Sequence, residues 1–269
     1  AKKRNDPKYK AWLKSKEFNP QMYRAWMLLA QSEFHKGDFL GSIGTFTYIT
    51  NLYENDPDIV AQCQLWMARA YGEMGWLYEA EDLLGKVKID NLKQKHQPFY
   101  AAVSADILLK GQHYKEAIPY IKLSKGEEKR KGYKPRFEYV LAQLYQQNGQ
   151  KEAARAGYKR VINMQPEHVM RFNAQLRYYE LMGDTLKSVK KLTKMAKLEK
   201  NKDVLDQIYG TLGNIYLNAQ DTNRALEYYR LAIEKSTKNG KDKAGVLLTA
   251  GDLYYGERDY ENAAPCYTE

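Results

Sequence analysis

A small residue returns along this chain at Ser42, Ala80, Ala117, Ala154, Ser188, Ala225 and Ala263, at spacings of 38, 37, 37, 34, 37 and 38 residues. A period of that length means stacked supersecondary units, each burying its apolar face on its neighbours, in place of one globular core. Other residues keep the same step. The first copy reads Trp26, Leu29 and Ala30, then a Gly37-Asp38-Phe39 turn, Ser42 and Phe46. Clear copies run from Met67-Ala68 to Leu84, Leu141-Ala142 to Pro166, Leu212-Gly213 to Ala232 and Ala250-Gly251 to Tyr267. Weaker ones run from Ser104-Ala105 to Ile121 and from Tyr179 to Leu192. Two antiparallel helices that cross closely admit only Ala, Ser or Gly at the crossing, with aromatics in the adjoining holes. The seven residues above meet that need in second helices, and Ala30, Ala68, Ala105, Ala142, Gly213 and Gly251 meet it in first helices. Leu176 takes the remaining first-helix position, which predicts less regular packing in the fifth unit. No strand-like alternation competes with this reading.

This pattern resembles the tetratricopeptide repeat, a helix-turn-helix unit of ~34 residues. The resemblance implies an all-α chain, a right-handed superhelical solenoid of about seven tetratricopeptide-like helix pairs. Residues 1–21 are expected to form a basic lead-in with a partial helix, because Tyr9, Trp12, Leu13 and Phe18 fall at helical spacing before Asn19-Pro20. A single solenoid is expected over 22–269, its last unit truncated after Tyr267. A stack that starts and stops in mid-unit is expected of a piece of a longer protein.

Composition removes several alternatives. The chain has 269 residues, of which 43% are hydrophobic and 13% aromatic, too many for a disordered chain. No window approaches the roughly 18 consecutive apolar residues of a membrane span. Cys63 and Cys266 are the only cysteines, so neither a disulfide framework nor a zinc knuckle can be assembled. His35, His96, His113 and His168 share no metal spacing and read as surface or groove residues, with His113 and Glu116 as a solvated pair. No nucleophile elbow, phosphate loop or dinucleotide fingerprint occurs. No cofactor, metal or catalytic residue is expected, and the chain reads as a non-enzyme.

The 23 tyrosines invite a base-stacking reading. Periodicity opposes it. Tyr71, Tyr145, Tyr179, Tyr216 and Tyr254 share one repeat position, Tyr114 and Tyr260 a second, and Tyr158, Tyr229 and Tyr267 a third, which predicts packing within the units.

First helices line the concave face of such a stack, and aligning the units puts Gln31, Arg69, Asp106, Gln143, Arg177, Asn214 and Asp252 on it. Neighbouring rows add Phe34, Leu109, Gln146, Glu180, Leu217 and Tyr255, and Met27, Leu65, Tyr139, Asn173 and Leu248. Amides, both charge signs and isolated apolar anchors suit an extended or helical segment of another protein better than a phosphate backbone. Solubility alone would also place polar residues here.

The net charge is +10, and three segments hold it. Residues 1–16 carry +6, 122–136 carry +5 and 187–202 carry +6, leaving the other 222 residues at −7. Specific nucleic-acid binding is therefore not expected of the groove. Lys187, Lys190, Lys191, Lys194 and Lys197 fall on one helix face, opposite Val189, Leu192 and Ala196. This second helix faces outward, as a solvated convex surface or as a contact for an acidic partner or an anionic membrane. The 122–136 run reads as an exposed loop between units, and the first sixteen residues as a flexible lead-in.

Four strings go beyond a generic repeat: Lys2-Lys3-Arg4-Asn5-Asp6-Pro7-Lys8-Tyr9-Lys10-Ala11-Trp12, Glu17-Phe18-Asn19-Pro20, Lys36-Gly37-Asp38-Phe39-Leu40-Gly41, and Glu73-Met74-Gly75-Trp76-Leu77-Tyr78-Glu79-Ala80-Glu81-Asp82. Over residues 2–170 the chain resembles the PorW/SprE-type tetratricopeptide lipoproteins of Bacteroidetes. That resemblance implies a protein-protein interaction scaffold on the periplasmic side of the outer membrane, linking components of the type IX secretion and gliding machinery. Its partners would be envelope secretion proteins, and its membrane anchoring would come from an upstream lipid. The alternative is a cytoplasmic peptide-binding regulatory module.

Overall fold

The computed structural model describes residues 6–13, 19, 21–237 and 240–269, the side chains of residues 11–13 excepted. Among them run α1 (Pro7–Leu13), α2 (Met22–Lys36), α3 (Phe39–Leu52), α4 (Pro57–Glu73), α5 (Leu77–Lys86), α6 (Gln97–Lys110), α7 (Tyr114–Glu127), α8 (Lys134–Gln147), α9 (Lys151–Asn163), α10 (His168–Glu180), α11 (Thr185–Ala196), α12 (Leu205–Asn218), α13 (Thr222–Lys235), α14 (Lys241–Gly256) and α15 (Tyr260–Thr268). No strand occurs among the described residues. After α1 the helices form seven antiparallel pairs, as the period predicts. The chain divides into two compact units, residues 1–137 and 138–269.

One turn geometry builds every pair. The backbone is left-handed at Gly37, Gly75, Gly149 and Gly183, and also at Gln112, Gln220 and Arg258, with φ between 61° and 88°. In all seven pairs this residue stands seven after the first-helix crossing position, which is small in six pairs and Leu176 in the fifth, and five before the small residue of the second helix. Length variation therefore falls in the connections between pairs. Glycine meets the left-handed conformation without the Cβ penalty that glutamine and arginine incur. Asp38, Asp184, Asp221 and Asp259 follow it and cap the second helices, accepting from the amides of Gly41, Lys187, Arg224 and Asn262.

The small residues sit where the period puts them. Ala30, Ala68, Ala80, Ala117, Ala142, Ala154 and Ala225 have no exposed surface. Where serine replaces alanine its buried hydroxyl finds a carbonyl across the crossing: Ser42 Oγ donates to Ala30 O over 2.9 Å. Ser188 Oγ donates instead to Tyr179 O over 2.8 Å, not to Leu176. The leucine at this crossing is the physical reason for the shift. Its side chain is buried with Phe172, Leu192, Ile208, Leu212 and Ile215, so bulk fills the position that a small residue holds in the other pairs.

Several expectations need correction. Tyr158 and Tyr229 are buried, but Tyr260 is exposed and Tyr267 is 46% exposed, covered on one side only. The first tyrosine row, Tyr71, Tyr145, Tyr179, Tyr216 and Tyr254, is half-buried. The basic run 122–136 is not one loop, since α7 extends to Glu127 and α8 begins at Lys134. His113 lies 3.8 Å from Glu81, not paired with Glu116. His96, expected at a surface or in a groove, bonds to buried Asp58. In the lead-in, Pro7–Leu13 is helical, with the Asp6 carboxylate accepting from the amide of Lys8. The expectations for Lys2 to Asn5 and Phe18, and for the side chains of Trp12 and Leu13, lie outside the described residues.

Candidate functional site

Second-helix tyrosines fix part of the first-helix face in the 138–269 unit. The ring of Tyr229 lies over Gly213 and that of Tyr267 over Gly251, where a Cβ would strike them. Each hydroxyl then reaches a first-helix polar group: Tyr158 donates to Gln146 Oε1 over 2.9 Å, Tyr229 to Asn214 Oδ1 over 2.8 Å, and Tyr267 to Asp252 Oδ1 over 2.8 Å. Burial pushes the Tyr158 phenol well up and, with the Glu180 charge, pushes Tyr229 to about 12. The hydrogen bond to Asp252 raises Tyr267 to about 12.

The network continues from Asn214. Its Nδ2 donates to Glu180 Oε1 over 2.9 Å, and Arg177 Nη1 donates to Glu180 Oε2 over 2.9 Å. Burial pulls the Arg177 guanidinium down, but the Glu180 carboxylate outweighs it and holds the guanidinium above its ordinary value. Glu180, only 10% exposed, is the hub that sequence rows alone placed beside the main one.

Arg177 and Asn214 line a cleft of ≈ 430 Å³ whose other walls come from first helices and, at Ala232, from the second helix α13. Tyr139 comes from α8, Asn173, Leu176 and Arg177 from α10, Asp206, Gln207, Gly210, Thr211 and Asn214 from α12, and Lys241, Asp242, Lys243, Gly245, Val246 and Thr249 from α14. Gln207 Nε2 donates to Asp242 Oδ2 over 3.0 Å, joining α12 to α14, and Ser236 Oγ donates to Asp206 Oδ2 over 3.2 Å. The Tyr139 ring meets Tyr158 edge-on at 5.5 Å, and burial raises its phenol. The side-chain amide of Asn173 makes no hydrogen bond among the described residues and is kept for a ligand. The cleft thus offers neutral amides and hydroxyls, both charge signs and small apolar patches.

Of the residues expected on the face, Tyr139, Asn173, Arg177 and Asn214 meet here. Gln143 is exposed on α8, Asp252 is held by Tyr267, and Tyr255, 61% exposed, packs edge-on to Tyr260 at 5.4 Å; none of the three lines the cleft. Gln207, Thr211 and Thr249 were missed, although they stand one or two turns ahead of Asn214 and Asp252 on the same helices. In the 1–137 unit, the Arg69 guanidinium lies 4.8 Å from the Phe34 ring centre and 5.2 Å from that of Trp66, with Trp66 5.0 Å from Phe99. Asp106 bonds to Lys110, which also reaches Glu73, and Gln31 is half-buried on α2. On α11 and its C-terminal cap, Lys187, Lys190, Lys191, Lys194 and the cap Lys197 are all exposed, Ser188 and Leu192 are buried, and Val189 and Ala196 are half-buried.

Among the described residues no three His, Cys, Asp or Glu side chains gather where they could hold a metal ion. No described helix is long and apolar enough to cross a membrane. Burial pushes the Cys63 thiol up to about 12, leaving it a small apolar filler.

No curated protein matches the sequence. Among solved structures, a tetratricopeptide repeat protein from Parabacteroides merdae is similar over 92% of this chain and 91% of its own, with a TM-score of 0.66 at 13% identity. The apo form of RapI is similar over 91% of this chain and 74% of its own, with a TM-score of 0.56 at 13% identity. NprR, in complex with its cognate peptide NprX, is similar over 86% and 76%, with a TM-score of 0.53 at 15% identity. At such identities the likeness is one of fold. The tetratricopeptide repeat family matches residues 71–247, the span from Tyr71 through the second to sixth pairs into the last first helix. By its repeated turn, its small-residue crossings and that match, the chain belongs to the tetratricopeptide repeat family.

Proposed function

We infer that the chain is a non-catalytic scaffold that holds an extended or helical segment of another protein in the first-helix cleft of residues 138–269. The observation that carries this reading is the ≈ 430 Å³ cleft itself, lined by the amide of Asn173, the Tyr139 ring and Arg177, whose guanidinium is held by Glu180. A peptide backbone needs alternating donors and acceptors with occasional apolar rests, and this lining supplies them without a uniform charge. The fold-likeness to NprR, a protein solved with its cognate peptide, supports peptide binding by this fold. Arg69 on its Phe34 and Trp66 rings offers a second anchor in the 1–137 unit.

The strings from Lys2 to Asp82 support an envelope role, on the periplasmic side of the outer membrane as a link between secretion and gliding components. A second reading is a peptide-binding regulatory module in the cytoplasm, whose peptide-binding part is supported by the fold-likeness to NprR, solved with its cognate peptide. Fractionation of the native organism separates the two.

For the cleft, a displayed peptide library is selected on the wild type and on Asn173→Arg. That variant fills the cleft from a position whose amide has no internal partner. Wild type should enrich a peptide family that the variant binds at least about tenfold more weakly, with unchanged melting. Equal enrichment on both proteins would overturn the reading.

A further inference from the structure

Helix α11 carries a cationic face that the fold leaves unneutralised. Residues three and four apart share a helix side, so Lys187, Lys190, Lys191, Lys194 and Lys197 form one stripe, and all five are exposed. Ser188 and Leu192 are buried on the other side, which fixes the rotation of the helix. The α11 segment Thr185–Ala196 contains no Asp or Glu, and none of the five ammonium groups has an acidic partner among the described residues. Some cations of other helices are neutralised locally: Lys86 pairs with Asp82, Arg155 with Glu152 and Arg224 with Asp221. At the start of the stripe, Leu186 is 84% exposed.

The chemistry of the face selects its partner. A protein surface that buries cations favours arginine forks and aromatic anchors, and lysine is depleted there. Here every cation is a lysine, a hydrated point charge on a flexible stem, and the apolar contribution is one isolated leucine. Nothing in the stripe forms a phosphate-shaped pocket. An anionic bilayer needs neither pocket nor register, because mobile headgroups gather under diffuse positive charge, each lysine strengthening attachment roughly fivefold. An exposed leucine beside the cations adds a shallow contact at the headgroup boundary.

We propose that the lysine face of α11 docks on an anionic lipid surface, on the second-helix side of the pair and independently of the cleft. The test is co-sedimentation of the full chain with vesicles of phosphatidylcholine alone and of phosphatidylcholine mixed equally with phosphatidylglycerol. Wild type should bind only the mixed vesicles, and added salt should release it. The variant Lys187→Gln/Lys190→Gln/Lys194→Gln should bind about a hundredfold more weakly with an unchanged helical spectrum and melting temperature. Leu186→Ser should weaken binding by a smaller factor. Equal binding to both vesicle types, or an unaffected triple variant, overturns the proposal. Failure to bind vesicles while polyglutamate binds wild type but not the triple variant overturns it in favour of an acidic protein partner.

Discussion

The phenolic hydroxyl of Tyr229 donates to Oδ1 of Asn214 over 2.8 Å, so a buried side chain of one helix holds a polar residue of the cleft in place. Burial, with the charge of Glu180, raises this phenol to about 12, against roughly 10 in an unfolded chain. The protonated form is therefore the native one. Its contribution to stability is complete below about pH 10 and is lost as pH rises through about 12. Tyr229→Phe should cost about 1 kcal/mol at neutral pH, since Asn214 loses a donor, and should flatten this part of the alkaline fall. Urea unfolding at about pH 7 and about pH 11 measures both effects, and parallel losses in wild type and variant would contradict the assignment.

Gly213 lies against that same ring, and a Cβ there would collide with its edge. Gly213→Ala should therefore destabilise by about 1–3 kcal/mol through overpacking. Gly245, in the next first helix, has nothing within 4 Å of its added Cβ. Gly245→Ala should stabilise by about 0.5–1 kcal/mol through helix propensity alone. Opposite signs for two identical substitutions in one unit are the expected outcome in thermal melts.

The left-handed turn position makes the reverse prediction. Gln220 holds φ at 61° where four other pairs carry glycine. Gln220→Gly should gain about 1 kcal/mol by relieving the Cβ clash, less the entropy of a freer unfolded chain. A loss of stability on denaturant titration would show that the side chain has a use the backbone geometry hides.

Much of this fold was legible in the sequence because crossings of two helices tolerate few residue types. Ala80, Ala154 and Ala225 could be placed in the core from spacing alone, and all three are fully buried. Leu176 marked the irregular pair for the same reason, and Ser188 shows the displacement by bonding Tyr179. The cleft was legible in part. Arg177 and Asn214 follow from the period, but their link through Glu180 depends on side-chain reach between different helices, which no period encodes. Asp252 stands in the same row, which predicts a ligand-facing carboxylate, but Tyr267 uses it internally. Glu138, fully buried on α8 and bonded at 2.6 Å by Arg160 Nε, carries no periodic signal at all.

Asp58 is another such residue, and it governs the long connection between α5 and α6. Near the start of α4 its side chain is only 6% exposed, yet it accepts from the Lys93 amide over 2.8 Å, from His96 Nδ1 over 2.8 Å and from Gln62 Nε2 over 3.2 Å. Lys93 Nζ adds an ion pair at 3.4 Å. Burial pushes the carboxyl up, but the bonds from His96 and Lys93 outweigh it and hold it below the ordinary carboxylate value. Because the folded value is depressed, the stability it lends is present above the unfolded value near 4 and is lost as pH falls through the folded one. Asp58→Asn keeps the shape but removes the charge that gathers three donors, and should cost about 3 kcal/mol at neutral pH. The acid limb of the stability curve should become shallower in the variant. Hydrogen exchange at the Lys93 amide locates the effect: protection should fall there while the Tyr229 region of the other unit stays protected. Unchanged protection at Lys93 would mean that the connection is held by Leu92, buried against Val103 and Ile107, and not by Asp58.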